Sequence, residues 1–287
     1  MLRSIRCGGS SGIARALTLH LLSTGWQVFI ADRNTTSAKQ IAEKYNTTTN
    51  TICHYTECDT ASWESQLSAF QMALKLLGGR IDFVAPIAGI GERKWLPFPS
   101  ETQSMKEGEF MKPDLGTVDV DLTGVLYTIA LAVQQFRRQG AEDWSMGGKS
   151  RGKIGLVASV CGFYCVPSLP VYTAAKHALV GLTRSYGVLL RDEDIAINAV
   201  APNVVRTSIS SDKFYDRMEE QGLLTPMEGL MEAFDDILGS HKSGLIYECG
   251  PKGGWVNRAG VEYVDKKSKK CCELLWERGN VLHYGQT

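Results

Sequence analysis

Along the first 200 residues the hydrophobic positions follow two alternating rhythms. The short runs "QVFIAD" (27–32), "TICHY" (51–55), "IDFVAPIAG" (81–89), "KIGLVAS" (153–159) and "IAINAV" (195–200) have the length and apolar character of strands buried on both faces. Between them, at about 12–24, 36–45, 63–79, 117–138 and 170–190, apolar residues recur three and four apart, which predicts amphipathic helices. Gly25 and the pair Gly78–Gly79 stand where the first and third of these helices should stop. Strand and helix in strict turn predict an α/β fold: a doubly wound parallel sheet with helices on both faces and right-handed crossovers. After residue 202 the rhythm loosens. Helices are expected near 211–220 and 226–238, then the strand "SGLIYEC" (243–249) and a charged helix at about 262–278, where "DKKSKK" reads as a solvated face. A polar, glycine-containing loop is expected at 142–152. No repeat and no domain boundary is visible, so the whole chain, 1–287, reads as a single domain.

Composition narrows the function classes. Lys plus Arg number 31 and so do Asp plus Glu, which gives no global electrostatic reason to seek nucleic acid or an anionic membrane. The longest apolar run, "GVLYTIALAV", is about half of what a bilayer span needs. No signal peptide is visible. The eight cysteines include no paired C-x-x-C motifs at zinc spacing and the histidines no ligand spacing, so no metal site is expected. The thiols read as reduced, in an intracellular, cytoplasmic protein.

The first chemical signal is "CGGSSGIA" (7–14). Gly8 and Gly12 allow a tight turn and a close approach of backbone N–H groups to a pyrophosphate, with Ser10, Ser11 and Ile13 in the same cradle at the start of a helix. Ala14 holds the third glycine position, where the dinucleotide fingerprint tolerates it. Asp32 ends the next strand, twenty residues beyond Gly12, and suits a ribose 2′-hydroxyl. Asp59, after the third strand, is placed to accept from an adenine amino group. A carboxylate at the ribose favours NAD over NADP, and the adjacent Arg33 is the argument for NADP. The strand that should carry this loop, "LRSIR" (2–6), is poor, because Arg3 and Arg6 stand where a central strand wants Val or Ile. Three readings stay open: its ends reach solvent, it is short and frayed, or this start is not the natural one. Reduced stability and weakened cofactor affinity are expected from any of them.

The second signal is "LVASVCGFYCVPSLPVYTAAKHALVG" (156–181). Tyr172 and Lys176, four apart, share a helix face, and Ser159 ends a strand thirteen residues earlier. The spacing alone carries little, since Tyr263 and Lys267 repeat it, but that second pair has Gly250 where the first has Ser159. His177 faces elsewhere on the helix and reads as structural.

Together "CGGSSGIA", Asp59, "PIAG" (86–89), Ser159, Tyr172, Lys176 and "APNVVRT" (201–207) resemble the classical short-chain dehydrogenase/reductase family to about residue 250. The stretches "PIAGIGERKWLP", "TPMEGLMEAF" and "GPKGGW" are most similar to fungal members akin to hydroxyprostaglandin dehydrogenases and 5′-hydroxyaverantin dehydrogenase. The resemblance implies a Rossmann-like sheet and a secondary alcohol interconverted with a ketone by hydride transfer to or from NAD(P). It implies Tyr172 as general acid/base, its phenol drawn toward working pH by Lys176 and a cationic nicotinamide, with Lys176 also holding the nicotinamide ribose and Ser159 on the substrate oxygen. Ala88 and Gly89 would border the cofactor. Pro202, Val205 and Thr207 would reach the nicotinamide.

The family's fourth catalytic position, usually Asn, is Asp121, whose charge should favour an ammonium on Lys176 and push the phenol upward. Pro86 and Ile87 replace two asparagines. The resemblance also implies a helical substrate lid at about 208–240 with Phe214, Tyr215 and Met218 over an apolar, polyketide-like substrate. Beyond it lies a C-terminal extension at about 250–287. Cys161, Cys165, Trp95 and Trp255 are candidate pocket walls. A small molecule is the expected partner, with assembly as a homodimer or homotetramer. The alternative function is a non-redox isomerisation, dehydration or cyclisation on the same fold.

Overall fold

A computed structural model describes residues 1–144 and 148–285. The chain runs β1 (Arg3–Cys7), α1 (Gly12–Ser23), β2 (Gln27–Asp32), α2 (Thr35–Tyr45), β3 (Cys53–Glu57), α3 (Trp63–Leu76) and β4 (Phe83–Pro86). A long connection holds the single turn α4 (Pro99–Gln103). It is followed by α5 (Gly116–Val118), a π-helical turn at Asp119–Thr123, and α6 (Gly124–Arg138). The two-residue strands β5 (Glu142–Asp143) and β6 (Lys149–Ser150) pair antiparallel within the expected 142–152 loop, of which 145–147 lie outside the described residues. Then come β7 (Gly152–Val157), α7 (Pro170–Leu189), β8 (Ile195–Pro202), α8 (Asp212–Glu220) and α9 (Met227–Gly239). The chain closes with β9 (Ile246–Cys249), β10 (Val256–Asn257), α10 (Lys266–Gly279) and α11 (Val281–Tyr284).

Eight strands form one sheet in the order β10-β9-β8-β7-β4-β1-β2-β3, parallel except for β10. The strand order reverses between β1 and β4, and the carboxyl ends beside that point are where an open α/β sheet receives ligands. Alternate strand residues feed two cores. On one face Phe29, Val84, Ile154 and Ile197 pack with Phe70 of α3, Ile129 of α6 and Leu179 of α7. On the other, Val28, Phe83, Val200 and Tyr247 pack with Leu17 of α1, Ile41 of α2 and Phe234 of α9. Leu230, Ala233, Phe234 and Ile237 of α9, within the stretch expected as a lid, are fully buried in this second core.

The first strand is corrected. β1 is neither short nor frayed; it pairs in parallel with β2 and β4, with Ile5 level with Phe29 and Val84. Arg3 reaches partly to solvent, and its backbone N–H donates to Asp82 Oδ2 at 2.8 Å. Arg6 does not reach solvent at all. Its Nη2 donates to Ser4 Oγ at 3.4 Å, while Nε and Nη1 have no hydrogen-bond partner among the described residues. Burial pulls the guanidinium down to about 9, so it remains charged at neutral pH.

One continuous helical run, Gly116–Arg138, is long and apolar enough to cross a membrane, which the apolar run counted in sequence did not anticipate. Its apolar face is spent on the protein core, with Val125, Ile129, Ala132 and Phe136 buried against the sheet and α3.

Candidate active site

The cradle is built by the turn after β1. Gly8 sits at φ +84°, and a Cβ there would lie 2.8 Å from the Ala88 backbone, so glycine alone lets this turn pass the loop after β4. Gly12, at φ +49°, faces Thr207, whose Cγ2 would be 3.0 Å from an added Cβ. No side chain caps the start of α1, which leaves first-turn amides open toward the cleft. Asp32 braces the turn: Oδ2 accepts from the Ser10 N–H at 2.9 Å and Oδ1 from the Asn34 N–H at 2.8 Å. Each oxygen keeps a lone pair for a ribose hydroxyl.

A cavity of about 760 Å³ joins this cradle to the end of β7. Gly8, Ser11, Gly12 and Ile13 line it from the turn, and Asp32 and Arg33 from the end of β2. Ala88 and Gly89 line it after β4, and Pro202, Val205 and Thr207 at and beyond the end of β8. Two expected positions stand back from it. Ser10 is buried, its hydroxyl unpartnered, and meets the site through the backbone bond to Asp32. The Asp59 carboxylate turns to the Ala61 N–H at 3.0 Å, and its neighbours Cys58 and Thr60 form the wall instead.

At the far end Ser159, Tyr172, Lys176 and Asp121 line one wall. Ser159 follows β7 and caps a short helical turn; its Oγ accepts from the Cys161 N–H at 3.1 Å and keeps its proton to donate. Lys176, one turn along α7 from Tyr172, places Nζ 5.2 Å from the Tyr172 ring centre, 3.5 Å from the Val157 carbonyl and 3.1 Å from Asp121 Oδ2. That last contact is an ion pair lying off the line of a hydrogen bond. Asp121 is wholly buried in the π-helical turn, an irregularity frequent at functional sites, and its Oδ1 accepts from the Ile90 N–H at 2.8 Å.

Burial is the largest influence on the phenol and holds Tyr172 above its ordinary value. The Lys176 ammonium and the Ser159 hydroxyl pull it down, and the Asp121 carboxylate pushes it up. In the chain by itself desolvation outweighs the ammonium; the expected shift toward working pH belongs to Lys176 acting together with a cationic nicotinamide. Asp121 too is raised, by burial, against the pull of Lys176 and the Ile90 amide.

Of the expected pocket walls, Cys161, Phe214 and Tyr215 line the cavity, while Cys165, Met218, Trp95 and Trp255 do not. Trp255 packs edge-on against Tyr247, 4.7 Å between ring centres. His177 is exposed, with Nδ1 2.9 Å from the Thr173 carbonyl. Two contacts had no sequence signal: Thr207 Oγ1 lies 3.1 Å from the Tyr215 hydroxyl, and Glu92, also in the wall, receives two amides of α7.

A phosphate cradle and a Ser-Tyr-Lys wall at the carboxyl edge of a doubly wound sheet define a nicotinamide-dependent oxidoreductase. A profile of the short chain dehydrogenase family matches residues 5–217, and the chain belongs to that family, whose members are NAD(P)-dependent oxidoreductases acting on CH–OH groups. It is 33% identical to the short-chain dehydrogenase/reductase prx4 of Penicillium rubens, over 97% of this chain and 73% of that protein. It is 32% identical to 5′-hydroxyaverantin dehydrogenase of Dothistroma septosporum, over 70% of this chain and 66% of that one. The chain spans from about half to about three-quarters of the length of such curated relatives. The 3-ketoacyl-(acyl-carrier-protein) reductase of Brucella melitensis, solved with NADH, shares the fold with a TM-score of 0.70 at 21% identity, over 87% of this chain and 97% of that one.

Proposed function

We propose that this chain interconverts a secondary alcohol and a ketone, with NAD as its cofactor and an apolar, polyketide-like metabolite as its substrate. The observation that carries the reading is the shared cavity, with an uncapped, glycine-turned helix start at one end and Ser159, Tyr172 and Lys176 at the other. The residues present fit a dinucleotide: Gly8, Ser11 and Gly12 line the cavity at an uncapped helix start, and Asp32 offers ribose acceptors. When bound, the nicotinamide supplies the hydride acceptor or donor.

The protein's part is placement and proton handling. Lys176 stabilises the Tyr172 phenolate, which takes the hydroxyl proton and becomes the neutral phenol, and the Ser159 hydroxyl donates to the substrate oxygen. Val166, Leu169, Ile209 and Phe214 in the wall support an apolar substrate, and the polyketide-like reading leans on the similarity to a 5′-hydroxyaverantin dehydrogenase. Asp32 supports NAD; Arg33 in the wall, and a 27%-identical relative in Phoma named as NADP-dependent, make NADP the alternative. On the same reading the protein assembles as a homodimer or homotetramer through the outer faces of α6 and α7, where Leu126 and Val188 are exposed.

Titration with NADH and NADPH, followed by nicotinamide fluorescence, tests the cofactor assignment. NADH is expected to bind at least about tenfold tighter, and Asp32→Ser to erase the difference. Conversion of a substrate with no nicotinamide turnover would replace this reading with the non-redox one.

A further inference from the structure

We propose that Glu92 is a positioning residue whose carboxylate caps the helix carrying Tyr172 and Lys176, and so fixes the phenol against its partners. The inference rests on the function proposed above. It begins with a defect in the start of α7. Leu169, at the cap position, has no side-chain acceptor, and Pro170, the first helical residue, has no N–H. The first turn has no acidic residue of its own. The amides left unpaired are those of Val171 and Tyr172, and Glu92 receives both: Oε1 at 3.2 Å and Oε2 at 2.7 Å. A carboxylate at a helix N-terminus is also favoured by the helix dipole.

The cap comes from a loop about 80 residues earlier in the chain, so it ties two parts of the site together. The other end of that loop is held by Asp121, through the Ile90 N–H, and its middle by Thr117 Oγ1 on the Gly91 carbonyl at 3.2 Å. Asp121 in turn faces Lys176, one turn along the helix that Glu92 caps. The contacts therefore form a closed ring from Lys176 through Asp121, Ile90 and Glu92 to Tyr172 and back along α7. Arg93, next to Glu92, is occupied by Asp114 at 2.8 Å and leaves the cap carboxylate to the helix. Both Glu92 oxygens are engaged by backbone amides, which favours positioning over substrate contact although the residue lines the cavity.

Glu92→Gln keeps the length and removes the charge and one acceptor. Amide exchange at Val171 and Tyr172 is expected to rise about tenfold, a readout that needs no turnover. With a secondary alcohol, kcat is expected to fall about tenfold while KM and NADH affinity stay within about threefold. Adding Leu169→Asp places a carboxylate at the helix's own cap and should restore the amide protection; Leu169 lines the cavity, so this double variant is read by exchange and not by kcat. Unchanged exchange overturns the proposal, as does a raised KM with kcat kept, which would make Glu92 a substrate contact. An inactive wild-type enzyme would count against the proposed function alone, because the exchange measurement still decides the cap. Should Glu92→Gln not fold, a folded double variant supports the cap and an unfolded one overturns it.

Discussion

Lys176 and Arg6 are both buried basic side chains, yet they stand in opposite settings. Lys176 faces a buried carboxylate at 3.1 Å and a backbone carbonyl at 3.5 Å. Arg6 has one serine hydroxyl at 3.4 Å, and two of its nitrogens have no hydrogen-bond partner among the described residues. A third buried cation, Lys153, lies between these cases: its ammonium donates to the Leu238 and Ser240 carbonyls at 2.6 Å each and sits 4.5 Å from the Trp144 ring centre. A buried charge costs several kcal/mol unless it is paired and hydrogen-bonded. The comparison teaches that burial of charge is compensated at the cavity wall, by Asp121 for Lys176, and beside α9, by two carbonyls for Lys153. In the strand under the phosphate turn it is not.

The widest break in the comparison should come from Lys176→Met. It removes the ammonium that pulls the phenol down, so kcat falls by about a hundredfold or more and the acid limb of the pH–rate profile moves to higher pH. It also strands the Asp121 carboxylate, and thermal or denaturant unfolding should register a loss of about 3–5 kcal/mol. Arg6→Met should do the reverse. It deletes an uncompensated charge and fills the same space, so the denaturant midpoint rises by the equivalent of about 1–4 kcal/mol with the slope unchanged. A fall in midpoint would show that Arg6 has a partner in solution. The smallest effect on rate is expected of Asp121→Asn, although it too leaves a buried partner, the Lys176 ammonium, without its carboxylate. The amide can still accept from Ile90, and activity remains measurable. With the repulsion on the phenol gone, Tyr172 deprotonates more readily and the acid limb moves to lower pH, opposite to Lys176→Met.

Much of this was legible in the chain, for identifiable reasons. Short apolar runs and the 3.6-residue period are local, so the alternation of strands and helices could be read wherever a strand is buried on both faces. Gly8 and Gly12 could be read because their backbone conformations exclude other residues. Ser159, Tyr172 and Lys176 fall within eighteen positions of one another, on a strand end and the next helix.

What escaped depends on distance in sequence or on context. The pattern rule rejects Arg6 from a central strand, but two full ladders of backbone bonds hold β1 in place regardless. The lid is an expectation from the resemblance alone, and the apolar stripe of α9 does not say which surface it covers; in the structure it packs into the second core. The π-helical turn at Asp119–Thr123 leaves no periodic signature over five residues. The Glu92 cap joins positions 80 apart, and its only local trace is the Leu169-Pro170 start that cannot cap itself.

The central claim is that the Tyr172 phenol does the proton chemistry beside a bound nicotinamide. The most direct test measures NADH affinity and secondary-alcohol oxidation of the wild-type protein and Tyr172→Phe side by side. The account predicts NADH affinities within about threefold of each other and a rate lower by about 10²–10⁴-fold in the variant. Equal rates, or a wild-type protein that binds no NADH, would contradict it.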